Sequence, residues 1–268
     1  MHSGTGELIA SAVIRAAKRT KMPDGVFSNL NSKGIEVGIE LVNHPKIKAV
    51  GFTGSIKAGR ALFDIANARP EPIPVFAEMG SINPVVITQN ALISNGPKWA
   101  EAYAHSIVLG AGQFCTNPGL ILAIDSEALS KFTDQLAEKI ATLDPMCMLH
   151  PKIKAAYSNL KFELTAQNGV EVISNEVHTE KNYADQTIAT VSGTQFLLNP
   201  KLHAEVFGPF SIVVKCRDQQ QLLQIIGGLE GQLTGTILAE KEDSETLTEL
   251  VDELQQRVGR LIYNGVPT

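Results

Sequence analysis

Residues 47–68 read IKAVGFTGSIKAGRALFDIANA, and the order of residue types in that run decides the fold class. IKAVGFTGS reads as a short strand. SIKAGRALFDIANA follows at once, with Ala58, Leu62 and Ile65 on one helical face. IPVFAEMG, fenced by Pro70, Pro72 and Pro74, supplies the next extended run. Strands alternating with helices at this spacing predict a parallel α/β sheet.

Upstream, GTGELIASAVIRAAKR has Leu8, Ile9, Ala12, Val13 and Ala16 at helical spacing. DGVFSNLNSKG predicts a short strand bounded by turn residues, and GIEVGIELVNHP a helix stopped by Pro45. Downstream, residues 96–111 predict a helix, GLILAI a strand, 126–142 an amphipathic helix and 146–158 a turn into another helix. VEVISNEV, TIATVSG, SIVVKC and GTILAE read as extended, 218–229 and 243–258 as helical, and GRLIYNGVPT as a strand and turn. Two α/β lobes are expected, residues 1–81 and 82–268.

The bulk numbers exclude several classes. A chain of 268 residues, 44% hydrophobic and 19% charged, suits a globular protein with a sizeable core. A net charge of −5 gives no electrostatic reason to expect nucleic acid. No apolar run approaches the roughly 18 residues that span a bilayer, and MHSGTGELIA lacks a signal-peptide layout, so no membrane partner and a cytoplasmic location are expected. Three cysteines, 115, 147 and 216, form no C-x-x-C pair, and the histidines are scattered, so no metal site is expected.

Five places carry candidate chemistry. Thr53, Gly54 and Ser55 turn a strand into a helix, whose N-terminal dipole and backbone N–H groups suit a phosphate, or Ser55 simply caps its helix. GTGEL at 4–8 has no preceding strand and fails as a dinucleotide fingerprint. Glu78 ends an apolar strand beside glycine, where lost hydration would raise its pKa toward that of a general base, or it is an exposed strand-end charge. Cys115, in GAGQFCTNPG at 110–119, sits among backbone-permissive residues that suit a nucleophile and an oxyanion site, or it is an inert loop thiol. Cys147 lies three residues before His150, which could suggest a thiol–imidazole pair, but the pair ranks below Cys115, because flanking methionines favour core packing. In HAEVFGPF, Glu205 could accept from sugar hydroxyls and Phe207 could pack on a flat ring.

In this order, AVGFTGS, FAEMGSINP, GAGQFCTNPG, EVFGP and GRLIYNGVPT resemble the NAD(P)-dependent aldehyde dehydrogenase superfamily over essentially the whole chain. RPEPIPVFAEMGSINPVV and GQFCTNPGL are most similar to the branch that oxidises 2-oxoglutarate semialdehyde (2,5-dioxopentanoate). The resemblance implies a partial Rossmann-type cofactor domain followed by an α/β catalytic domain, NADP or NAD as cofactor, an aldehyde substrate and a homo-oligomeric parent protein. It implies that Cys115 attacks the aldehyde, with its own N–H as half of the oxyanion hole, and that Glu78 activates the hydrolytic water. Thr53, Gly54 and Ser55 match residues near the cofactor's nicotinamide and pyrophosphate, and Glu205 and Phe207 those that hold the nicotinamide ribose and ring. Many members read Glu-Leu-Gly-Gly-Lys where this chain has Glu78-Met79-Gly80-Ser81-Ile82. Family members are longer at both ends, so the chain is expected to be a central fragment without the second oxyanion-hole donor. A catalytically silent fragment and a slow, cofactor-independent thiol esterase are the alternatives.

Overall fold

The apolar spacing upstream of residue 47 forms two helices, α1 (Ser3–Arg19) and α2 (Glu36–Asn43), in a computed structural model that describes residues 3–175 and 180–268. The opening run becomes β1 (Val50–Thr53) and α3 (Ile56–Asn67), and the next extended stretch becomes β2 (Val75–Glu78). β1 and β2 pair in parallel with Thr53 opposite Glu78, which makes a β-α-β unit. Val42, Ala66 and Ile73 form its small core. The Arg69 guanidinium ties the end of α2 to it by donating to the carbonyls of Val42, His44 and Ile47 at 2.9, 3.2 and 3.1 Å. These elements make one compact unit, residues 1–80.

The strand expected in DGVFSNLNSKG does not form. That segment is turns and irregular chain, with Asn29 and Asn31 donating to the Glu7 carboxylate at 3.0 and 3.2 Å. Val26, Phe27 and Leu30 are exposed there, and an extended run with neither a partner strand nor a covered face gains too little to order as a strand.

Residues 81–268 form the second unit. Its strands are β3 (Pro84–Ile87), β4 (Leu120–Ile124), β5 (Glu171–Asn175), β6 (Thr187–Ser192), β7 (Phe210–Cys216), β8 (Gln232–Leu238) and β9 (Val258–Tyr263). They make one sheet in the order β5-β6-β7-β4-β3-β8-β9, parallel throughout except for antiparallel β5. The last two residues of the expected VEVISNEV strand lie outside the described residues. Helices α4 (Gln89–Val108), α5 (Glu127–Ala141), α6 (Pro151–Thr165), α7 (Gly193–Leu198), α8 (Gln219–Gly228) and α9 (Ser244–Gln255) connect the strands.

The alternation of side chains along a strand distributes these helices over two faces. Leu120 and Leu122 of β4 belong to one buried cluster with Leu164 of α6, Phe196 of α7, Ile225 of α8 and Leu254 of α9. Ile121 and Ala123 point the other way, into a second cluster with Trp99, Tyr103 and Ile107 of α4 and Phe132 and Leu136 of α5. Both faces are therefore covered, which is why the central strands read as unbroken apolar runs. α4 begins earlier than its predicted start at residue 96. Thr88 caps it, and the backbone kinks at Asn95, just before Gly96 and Pro97, because proline at 97 lacks an N–H and crowds the preceding turn. No helix among the described residues is long and apolar enough to cross a membrane.

Candidate active site

Cys115 sits at the second position of a turn that the Asn117 N–H closes onto the Phe114 carbonyl at 3.1 Å. Its side chain is exposed, and among the described residues its own N–H has no acceptor. The turn is reached through a left-handed stretch, with Gly110, Ala111 and Gly112 at φ +58°, +57° and +64°. A Cβ on Gly112 would meet the Gly208 carbonyl carbon at 2.2 Å, and one on Gly208 would meet the Tyr157 ring at 2.2 Å, so glycine at both positions lets the two loops touch. Asn117 Nδ2 donates to the Gly208 carbonyl at 2.7 Å and locks them. Gln113 Nε2 donates to Gly110 O at 2.9 Å, and its Oε1 accepts from the Leu149 N–H at 3.0 Å.

This contact brings Cys115's loop to Glu205 and Phe207. A cleft beside the loop is lined by Phe114, Asn117, Gly112, Glu205, Phe207 and Ser81. Glu205 is half-buried and accepts from the Ser81 N–H at 3.3 Å. Burial raises its carboxyl above the usual carboxylate range, and the Ser81 hydrogen bond opposes that shift in part. These residues come just before β3, β4 and β7, so this cleft lies at the amino-terminal ends of the parallel strands.

The remaining predicted residues lie in the first unit, at the carboxyl ends of β1 and β2. The Gly54 N–H is not free, since it donates to the Glu78 carbonyl at 3.0 Å. Ser55 Oγ caps α3 by accepting from the Ala58 N–H at 3.3 Å. The unspent donors are the first N–H groups of α3, at Ile56 and Lys57, and no acidic residue occupies that first turn. An exposed helix N-terminus with a lysine in its first turn fits a phosphate group. Glu78 is exposed, the strand-end charge that is one of its two readings.

Residues 2–268 match the aldehyde dehydrogenase family. The chain belongs to the aldehyde dehydrogenase family. Alpha-ketoglutaric semialdehyde dehydrogenase 2 of Azospirillum brasilense is 44% identical over all of this chain and 51% of its own length. Alpha-ketoglutaric semialdehyde dehydrogenase of Acinetobacter baylyi is 40% identical, again over all of this chain and 51% of its own. This aldehyde dehydrogenase chain thus spans about half the length of the curated relatives it matches. The glyceraldehyde-3-phosphate dehydrogenase GapN of Methanocaldococcus jannaschii, crystallised with NADP, superposes with a TM-score of 0.77. It is 22% identical, and the alignment covers 96% of this chain and 55% of that one.

One thiol reading needs correction in this aldehyde dehydrogenase chain. Cys147 is exposed rather than packed in apolar surroundings. His150 is not its partner, because His150 Nδ1 accepts from the Lys152 N–H at 3.1 Å as the cap of α6. Cys216 is buried on β7, where desolvation, with Asp218 nearby, pushes its thiol up to about 12. Among the described residues no group of three His, Cys, Asp or Glu is placed to hold a metal. The residue that sequence reasoning missed is Asn83. It is 1% exposed at φ +46°, and its Nδ2 donates to the carbonyls of Cys115 and Asn117, each at 2.9 Å. The only cue for it was a polar residue wedged before a proline and an apolar strand, in SINPVV.

Proposed function

We propose that this chain carries the nucleophile and cofactor-contacting residues of an enzyme that oxidises an aldehyde to a carboxylate, with NAD or NADP as oxidant. The 44% identity to an alpha-ketoglutaric semialdehyde dehydrogenase favours 2-oxoglutarate semialdehyde as substrate. The observation that carries the reading is the exposed Cys115 on a hydrogen-bonded turn, beside a cleft lined by Glu205 and Phe207.

The chemistry follows from these groups. The Cys115 thiolate adds to the aldehyde carbon, and the oxygen that gains charge is stabilised by the unspent Cys115 N–H. When bound, NAD(P)⁺ supplies the acceptor for the two electrons whose loss turns the thiohemiacetal into a thioester. By the family resemblance, Glu78 would take a proton from water, the hydroxyl would add to the acyl carbon, and the C–S bond would break to return the thiolate. Glu205 and Phe207 would hold the nicotinamide ribose and ring, and Thr53, Gly54, Ser55 and the first turn of α3 the phosphates. A homo-oligomeric parent and a cytoplasmic location belong to the same reading, the first from the family resemblance and the second from three unpaired cysteines.

The test uses the chain at amounts comparable to its substrates, with NAD or NADP and 2-oxoglutarate semialdehyde. Reduced nucleotide forms with the wild-type chain and not with Cys115→Ser. Equal formation by the two would overturn the assignment.

A further inference from the structure

Asn83 is held from three sides. Its Oδ1 accepts from the Thr234 N–H at 3.2 Å and the Thr234 hydroxyl at 3.0 Å, and the Ser81 hydroxyl lies 2.9 Å away. Its own N–H points at Gln232 Oε1, 3.3 Å away, which also accepts from the Ile82 N–H at 2.8 Å. A backbone N–H can only donate, so the atom facing Thr234 must be the amide oxygen. The –NH₂ end is thereby turned toward the carbonyls of Cys115 and Asn117. β8 thus orients an amide ahead of β3, and that amide grips the turn ahead of β4.

We propose that Asn83 is the positioning residue for Cys115, its carboxamide setting the turn that presents the Cys115 thiol and N–H to a carbonyl carbon. This rests on the reading of Cys115 as nucleophile. The Asn117-to-Phe114 hydrogen bond does not engage the central peptide of the turn, Cys115–Thr116, whose plane is set by what its carbonyl meets. Holding the Cys115 and Asn117 carbonyls fixes the peptide planes that follow those two residues, and with them the Cys115 Cα from which both the side chain and the N–H extend. Attack that builds an oxyanion needs thiol and N–H aligned at once, whereas attack on an alkyl halide needs the thiol alone.

The difference between those two reactions is the test. Cys115 of the full 268-residue chain is acylated with p-nitrophenyl acetate, where the S–C bond forms, the ester C–O bond breaks and p-nitrophenolate leaves. In parallel it is alkylated with iodoacetamide, and both modifications are mapped by mass spectrometry. Asn83→Asp, which replaces the two donors by a carboxylate oxygen, lowers acylation of Cys115 about 10- to 100-fold while alkylation changes about threefold or less. Asn83→Gly tolerates the left-handed backbone and lacks the amide. Thr234→Val leaves Asn83 in place and removes one donor to its Oδ1. Both lower the same ratio, and an unlabelled Cys216 marks a folded sample, so the result does not depend on Asn83→Asp folding. An unchanged acylation-to-alkylation ratio in the folded variants overturns the role of Asn83 and leaves Cys115 untouched. Wild-type Cys115 acylating no faster than Cys147 overturns the nucleophile reading, and this one with it.

Discussion

Gly112 and Gly208 meet backbone to backbone, so closely that a methyl on Gly112 would fall 2.2 Å from the Gly208 carbonyl carbon. Gly112 also has φ +64°, which any side chain would strain. Gly112→Ala is expected to cost about 2–4 kcal/mol and to part the Cys115 loop from Glu205 and Phe207. Gly38→Ala, inside α2 with open space around it, should instead gain about 0.5–1 kcal/mol. Urea unfolding of the two variants checks the contrast, and equal losses would contradict it.

The three thiols should separate by exposure. Brief iodoacetamide treatment of the native chain is expected to label Cys115 and Cys147 and to spare Cys216, which is buried with its pKa pushed up to about 12. Labelling of Cys216 without denaturant would be inconsistent with the β7 packing.

Glu205 makes stability depend on pH. Its folded pKa lies above that of the unfolded chain, so in the interval between them the native state keeps a proton that the unfolded state has released. Stability therefore falls as pH rises through that interval, and the cost of burying the carboxylate is fully present above it. Glu205→Gln should flatten this part of the profile and melt higher at neutral pH. Melting curves for both proteins from about pH 4 to 8 decide the point; parallel profiles would count against it.

Arg69, 8% exposed, holds three backbone carbonyls and is expected to be irreplaceable by lysine. A single ammonium group lacks the planar fork that reaches several acceptors. Arg69→Lys should cost about 2–3 kcal/mol, felt in the first unit. Hydrogen exchange reads this locally: protection lost in α2 and α3 with β4 unaffected is the expected pattern, and uniform loss would speak against it.

Local pattern was enough for the α/β class and for most strands and helices. Period and composition report how a segment meets a core, and the covered faces of β4 and β7 make LILAI and SIVVKC legible as they stand. Pairing and burial are not local, and the errors follow from that. DGVFSNLNSKG has the composition of a strand but no neighbour to bond. Cys147 sits between methionines yet faces solvent. Ser81 and Asn83 meet Gln232 and Thr234, some 150 positions along the chain, only because β3 and β8 are adjacent in the sheet. Residue types and order thus determine which groups are present and what each can do. Strand order determines which of them touch, since one amide holding a cysteine's turn depends on the sheet bringing β3, β4 and β8 side by side.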